Sequence, residues 1–594
     1  ALPAVERSVL EYAAVAGRTA RLGAVGALLA ELPESTIADA FDALADRDLL
    51  VAQGGGAFTF RHIVIREVAY ATLPRSERVR AHVRLARWLE EQAGEGQEFA
   101  ELIAYHYRQA IALSPGNRVP EGLDATTVVA ALERATRSAT NVGAFREAAA
   151  QMREAIRLSP PGEHLRQHEL VGDLMLFGDD AINGYAEALS RWRAHPDPDP
   201  AVGARLLVKQ LGVATRWAGS IARSPEPEET AALAAEARGL LDRAPDPIVE
   251  ARLAFARAFE ITRTSKSDRA AIDALARQVE AGRALYASRG DVEGESEALD
   301  AIASLYRSAL GDAERALGYT RERLAMAERL SLLERMDAWS VAIWDLVYLG
   351  RNDEATDMYR DARRALRASE PVYMTAHAAA WATYAAMLCG RWDEALALGD
   401  LMIGMLEESR INTGRFMFPG WVGALRVAAG RVDTTRLARY RSAFTAHANV
   451  PLLTTRNRPM WVAFIDRDSV AARQALANPV VTAPDRKGEV IALLLFDLGE
   501  RLGEEELQAI ERHAAGDPPV LRLRIALARA LNGSEADVRT AIAVLDEAHL
   551  VADAARAAAL LALRTRDAGD RADAERRLTS LGDRQYLQKL AEEW

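Results

Sequence analysis

The sequence predicts an all-α protein, an α-solenoid of helical hairpins from about residue 125 onward behind a small N-terminal domain. Three observations carry this. Alanine, leucine, arginine and glutamate, all strong helix formers, dominate nearly the whole chain. The 594 residues are too many for one hydrophobic core. Glycines at positions 311, 350, 390 and 430 recur at a period of roughly 40 residues, the length of a two-helix solenoid repeat.

In chain order, Ser8 to Ala16 is apolar at helical spacing, and a second short helix is expected over about 23–31. A third opens after Pro33, with Thr36 and Asp39 as a capping pair and Ile37, Ala40, Phe41 and Leu44 as its buried stripe. Leu49 to Ala52, the turn Gly54-Gly55-Gly56 and the alternating Ala57-Phe58-Thr59-Phe60 then spell a β-hairpin. Three helices followed by a β-hairpin is the order of a winged helix. Residues 1–95 are therefore assigned to a winged-helix-like domain with a linking helix, and residues 96–594 to the repeats.

Within the repeats, Gly350-Arg351-Asn352-Asp353-Glu354-Ala355 and Gly390-Arg391-Trp392-Asp393-Glu394-Ala395 are nearly one hexapeptide. Gly430-Arg431-Val432-Asp433 opens the same way, and looser copies start at Gly143, Gly311 and Gly569. A glycine just past a helix takes the left-handed conformation that ends it. The acidic residues then sit at the next helix start, where they meet free N–H groups and the positive dipole end. The small alanine that closes the motif lets the two helices approach. Upstream, Trp339, Ala342, Ile343 and Leu346 give the spacing of one buried helical face.

These residues resemble a tetratricopeptide repeat. Its pattern of large and small residues, with a closing proline, is matched by Leu132, Ala135, Ala139, Ala148, Met152, Ala155 and Pro160. Later copies are longer and lose the proline, and the sequence does not fix their register over about 190–290 and 440–530.

Phe60-Arg61-His62-Ile63-Val64-Ile65-Arg66-Glu67-Val68-Ala69-Tyr70, then Leu73-Pro74, Arg78, His82, Ala86 to Glu90 and Ala104-Tyr105-His106-Tyr107, carry a second likeness. This stretch resembles the segment that joins winged helix to repeats in bacterial STAND-type signalling ATPases. There it follows an ATP-binding domain, often beside a class III nucleotide cyclase domain or in a large ATP-binding transcriptional regulator. The resemblance implies a non-catalytic sensor and interaction module, whose repeats bind a protein or small-molecule effector and regulate an upstream ATPase domain in cis. The alternative is a free-standing tetratricopeptide scaffold that assembles protein partners.

The sequence departs from that family in one respect. It has no G-x-x-x-x-G-K-[S/T] phosphate loop, and Lys209, Lys266, Lys487 and Lys589 all stand in other contexts. No enzymatic activity and no cofactor are expected of this chain. Because Ala1-Leu2-Pro3-Ala4 lacks an initiating methionine, the reading is of a piece of a longer polypeptide whose ATPase lies upstream.

Other chemistry is weighed against plainer roles. His164 and His168 stand one helical turn apart, yet no third metal ligand is implied and a solvated helix face accounts for them. His62, His82 and His106 read as packing or capping residues, and Cys389, the single cysteine, as a small core residue. One cysteine fits a reducing compartment, and with neither a signal segment nor a long apolar run the expectation is a cytoplasmic protein away from membranes. The net charge of −11 has no polybasic run, so nucleic acid is not an expected partner.

The first helix of each hairpin lines the concave face of such a superhelix. Setting the copies in register places Trp344, His377, Tyr384, Met387 and Met417 toward that groove, where aromatic and methionine side chains favour partner binding. Ordinary core packing between hairpins is the competing account.

Overall fold

The computed structural model describes residues 2–93, 99–142, 144–175, 178–221, 225–261, 268–365, 372–409, 417–447, 458–477, 493–513 and 519–594. The chain divides into two compact units, Ala1–Met175 and Leu176–Trp594.

The first unit opens with α1 (Ala4–Ala16), β1 (Thr19–Arg21), α2 (Leu22–Leu28), α3 (Glu34–Asp46), β2 (Leu50–Gly54) and β3 (Ala57–Phe60). The strands form one antiparallel sheet in the order β1-β3-β2. The expected stripe on α3 is buried, and Phe41 stacks on Phe58 of the sheet at 4.5 Å. β1 was not foreseen, because three residues leave no alternation to read. The Thr36–Asp39 capping pair is corrected: α3 already starts at Glu34 behind Pro33, with no side-chain cap, because proline's fixed φ sets the helix entry instead.

Then come α4 (Ile63–Thr72), α5 (Arg75–Ala93), α6 (Ala100–Leu113), α7 (Ala125–Asn141), α8 (Phe145–Leu158) and α9 (His164–Met175). One core joins Val15 and Leu28 to Leu85, Tyr107, Leu132, Met152 and Ala155, so the first repeat hairpin, α7–α8, shares its interior with α5 and α6. Leu132, Ala135, Ala139, Ala148, Met152 and Ala155 are all fully buried, as repeat signature residues are. Gly143 lies outside the described residues.

The second unit is an α-solenoid of tetratricopeptide-like hairpins. It runs through α10 (Gly178–Arg193), α11 (Pro200–Arg216), α12 (Pro227–Leu241), α13 (Pro247–Ile261), α14 (Arg269–Ser288), α15 (Val292–Ser304) and α16 (Ala313–Ala325). There follow α17 (Leu332–Tyr348), α18 (Asn352–Ala365), α19 (Val372–Leu388), α20 (Trp392–Ser409), α21 (Phe418–Gly430), α22 (Thr434–His447), α23 (Arg458–Asp466) and α24 (Ser469–Ala477). It ends with α25 (Glu504–His513), α26 (Pro519–Asn532), α27 (Glu535–Glu547), α28 (Val551–Thr565), α29 (Ala568–Leu581) and α30 (Arg584–Glu593). No helix among the described residues is long and apolar enough to cross a membrane.

The hexapeptide turns behave as their chemistry dictates. Gly350 and Gly390 take φ of 76° and 79°, and the next N–H in each bonds back to Leu346 or Ala386, closing the preceding helix. Ala355 and Ala395 are fully buried. Gly430 differs: the helix runs through it and Val432 takes the left-handed conformation at φ 56°. A Cβ on Gly430 would lie 2.6 Å from the Trp392 ring, so glycine here serves close approach rather than the turn.

Candidate functional site

The inner helices of the second unit carry charged residues where their neighbours are apolar, and the fold gathers those charges into two clusters. At the end of α11, Arg216 donates to Asp300 of α15 at 2.9 Å and to Glu334 and Asp337 of α17 at 2.7 and 3.2 Å. Arg323 of α16 enters from the side and donates to Ser296, Glu334 and Asp337 at 2.7, 2.6 and 2.6 Å. Three carboxylates thus face two guanidiniums. Burial pushes Glu334 up, but Arg216 and Arg323 outweigh it and hold its carboxyl at about 2. Burial, with Asp300 and Glu334 beside it, raises Asp337 instead.

Next along the unit, Arg307 pairs with Asp345, which also accepts from Thr320 at 2.7 Å. Its guanidinium lies 4.6 Å from the centre of the Trp344 ring. Trp344 stacks on Trp381 at 5.2 Å, and Tyr348 meets both rings edge-on. Trp381 donates its indole N–H to His377 Nε2 at 3.0 Å, and burial keeps that imidazole neutral, with its pKa lowered to about 3.

The second cluster is the seam where α19 and α21 meet helices far along the chain. Tyr384 Oη accepts from Arg524 of α26 at 3.0 Å, and Arg426 Nη1 reaches the Met387 sulfur at 3.1 Å. Arg426 also bonds Asp497 at 3.0 Å and pairs with Asp553 of α28. Arg524 bonds the other oxygen of Asp553 at 2.9 Å, and Arg556 bonds Asp583 at 2.7 Å. Arg556 lies over the ring of Tyr586 and beside that of Trp392. Burial works against Asp553, yet Arg426 and Arg524 hold it at about 2. Turns take part as well, for a Cβ on Gly390 would lie 3.0 Å from both Val551 and Leu581.

Four of the five residues singled out from the sequence come together here. Trp344 and Tyr384 both touch Trp381, which also takes up His377, while Met387 joins through Arg426. Met417 lies just before α21 and is buried. His377, Tyr384 and Met387 are also buried, at 4, 2 and 0 % exposure, and Trp344 alone is partly exposed. Sequence reasoning missed Trp381 and every arginine and carboxylate of the clusters. A signal was present: α21 is buried from Pro419 to Gly430 and contains one charge, Arg426, while Asp553 and Arg556 stand in an alanine-rich helix.

Elsewhere, His82 and His106 approach Nδ1 to Nδ1 at 2.8 Å, with Tyr70 Oη 2.9 Å from the other nitrogen of His82. Burial lowers the two to about 4 and about 3. A ring nitrogen of His164 lies 3.1 Å from the Ser159 carbonyl, and no group of three or more metal-ligating side chains occurs among the described residues. Cys389 is half-buried, and burial raises its thiol to about 11.

No family model matches the sequence, and no curated protein matches it. Among solved structures, the chain is similar to a Signal Transduction ATPase with Numerous Domains (STAND) protein with a tetratricopeptide repeat sensor from Pyrococcus horikoshii. The identity is 11%, the TM-score 0.38, and the match covers 78% of this chain and 65% of that one.

Proposed function

We propose that the chain is a non-catalytic sensor and interaction module of a larger signal-transduction ATPase, in which the repeats of residues 96–594 receive an effector and restrain an ATPase domain upstream. The observation that carries this reading is the interior of the second unit. Most of its buried ionisable groups pair with one another, arginine with carboxylate, between helices as much as 127 positions apart. Such a network suits an element that holds or changes shape, because two packings can differ by few kcal/mol while each satisfies its charges. The α-β-α-α-β-β order of residues 4–60, with its β1-β3-β2 sheet, favours reading the first 95 residues as a winged-helix link. We place the protein in the cytoplasm on its cysteine usage.

We place the effector at the inner helices around Trp344, His377, Tyr384, Met387 and Met417. Because four of these are buried, it reaches them in a conformation in which the C-terminal helices are displaced from α19 and α21. Deleting residues 96–594 from the full-length gene product tests the reading. ATP hydrolysis should rise without any effector, and this chain alone should give no saturable heat with magnesium-ATP in calorimetry. Unchanged hydrolysis, or micromolar ATP binding by the chain itself, would sink the proposal.

A further inference from the structure

The seam between α19–α21 and the C-terminal helices balances its charges in all but one place. Arg426, Arg524 and Arg556 are matched by Asp497, Asp553 and Asp583. A fourth guanidinium, Arg467, reaches the same region from the turn between α23 and α24. It donates to Gln585 Oε1 of α30 at 3.3 Å, and no carboxylate among the described residues comes within ion-pair distance of it. Asp497, the acidic group that acts on it, already pairs with Arg426 and Arg556. Burial disfavours the charge of Arg467, and the nearby Arg556 and Arg426 add to that. Arg556 is fully buried and its Nη2 makes no hydrogen bond.

The two clusters of the unit differ in how an imbalance can be resolved. Around Asp337 the surplus is acidic, and burial raises that carboxyl, the direction in which a carboxylate can take up a proton. A guanidinium has no such course, since it stays protonated in proteins. A surplus arginine held partly exposed at this seam is therefore open to an anion from solution. Arg467 stands in the left-handed conformation at φ 56°, as Val432 and His549 do in turns of the same kind, and from there its side chain reaches Gln585.

We infer that the seam binds a compact oxyanion, a phosphate or carboxylate group, on the guanidinium of Arg467 with Arg556 as the neighbouring positive wall. The anion joins three stretches of chain: the α23–α24 turn, α28 and, through Gln585, α30. Bound there it fastens the C-terminal helices to the seam, and its loss leaves like charges facing each other and favours opening. This deepens the effector reading by naming the chemical class, a small anion, and rests on it only for the consequence of binding.

Calorimetry on the full chain tests the site directly, with sodium phosphate in one series and sodium succinate in another, each against sodium chloride at equal ionic strength. Saturable binding of at least one of the two is expected, and which one responds identifies the group that is recognised. Arg467→Gln should weaken that binding by about tenfold or more, as loss of a charge-assisted hydrogen bond does, while Arg467→Lys keeps part of it. Absence of saturable binding for both anions, or undiminished affinity in Arg467→Gln, overturns the inference. The measurement needs no ATPase, so its failure is distinct from failure of the restraint reading.

Discussion

Arg426 and Asp553 lie 127 positions apart in the chain and form an ion pair in which neither side chain is more than 1% exposed. The same guanidinium holds Asp497, 71 positions away, so one residue of α21 ties two distant segments. A buried pair of this kind adds little net stability over apolar packing, yet removing one partner strands the other in a medium that cannot solvate it. Asp553→Ala, which leaves Arg524 without a carboxylate and Arg426 with Asp497 alone, is expected to destabilise the second unit by about 3–5 kcal/mol in urea unfolding. Arg360→Ala breaks the exposed pair with Glu394 and should cost about 1 kcal/mol or less. Equal losses would mean that water reaches the seam.

Gly350 and Gly390 occupy equivalent turns, but only one of them is pressed against a neighbour. A methyl group at Gly350 meets open space, whereas at Gly390 it meets Val551 and Leu581. Alanine at either position incurs the left-handed cost of about 1–2 kcal/mol. Gly390→Ala should exceed Gly350→Ala by a further 1–3 kcal/mol or so, the usual range for overpacking. Combining it with Val551→Ala should narrow that gap. Identical melting temperatures for the two glycine variants would show that the turn at 390 does not dock on α28.

Ala355 and Ala395 are fully buried where the two helices of a hairpin meet. Leucine at either site is expected to lower stability by about 1–3 kcal/mol, because the hairpin has no room for three more carbons without shifting a helix. Thermal melts of the single variants decide this, and unchanged midpoints for both would place the alanines outside the contact.

The hairpins were legible because their instructions are local: a glycine, two acids and an alanine within six positions specify a stop, a start and a close approach. Gly430 shows the limit of that reading, since the same letter there accommodates Trp392 while Val432 makes the turn. Packing was less legible. Nothing local reveals that α5 and α6 share their core with α7 and α8, so that the first compact unit extends to Met175. Large side chains such as Trp344 and Tyr384 stand out by size, but arginines and aspartates are ordinarily solvated and carry no local sign of burial. Their roles depend on partners far along the chain, as with Arg216 and Asp337, 121 positions apart, or Arg524 and Tyr384, 140 apart.

Acid should weaken the first unit sooner than the second. His82 and His106 sit in the first unit with pKa lowered by burial to about 4 and about 3, and His377 in the second is lowered to about 3. A histidine whose folded pKa lies below its unfolded value near 6.5 contributes stability that is complete above 6.5 and is lost as pH falls toward the folded value. Between pH 7 and pH 5 each such histidine should forfeit about 2 kcal/mol, so the first unit loses roughly twice what the second does. Asp337 and Asp345 are shifted in the opposite sense, because burial raises both, so acid relieves a cost there and adds nothing to the loss from His377. Glu334 and Asp553, held at about 2, stay ionised in the folded state throughout this window and lend their stability until pH drops below the ordinary carboxylate range. Peptide-resolved hydrogen exchange at pH 7 and pH 5, corrected for intrinsic rates, reads the two units separately. Protection should fall more in α5 and α6 than in α19, and equal falls in both would mean that the His82–His106 pair is already open to water at neutral pH.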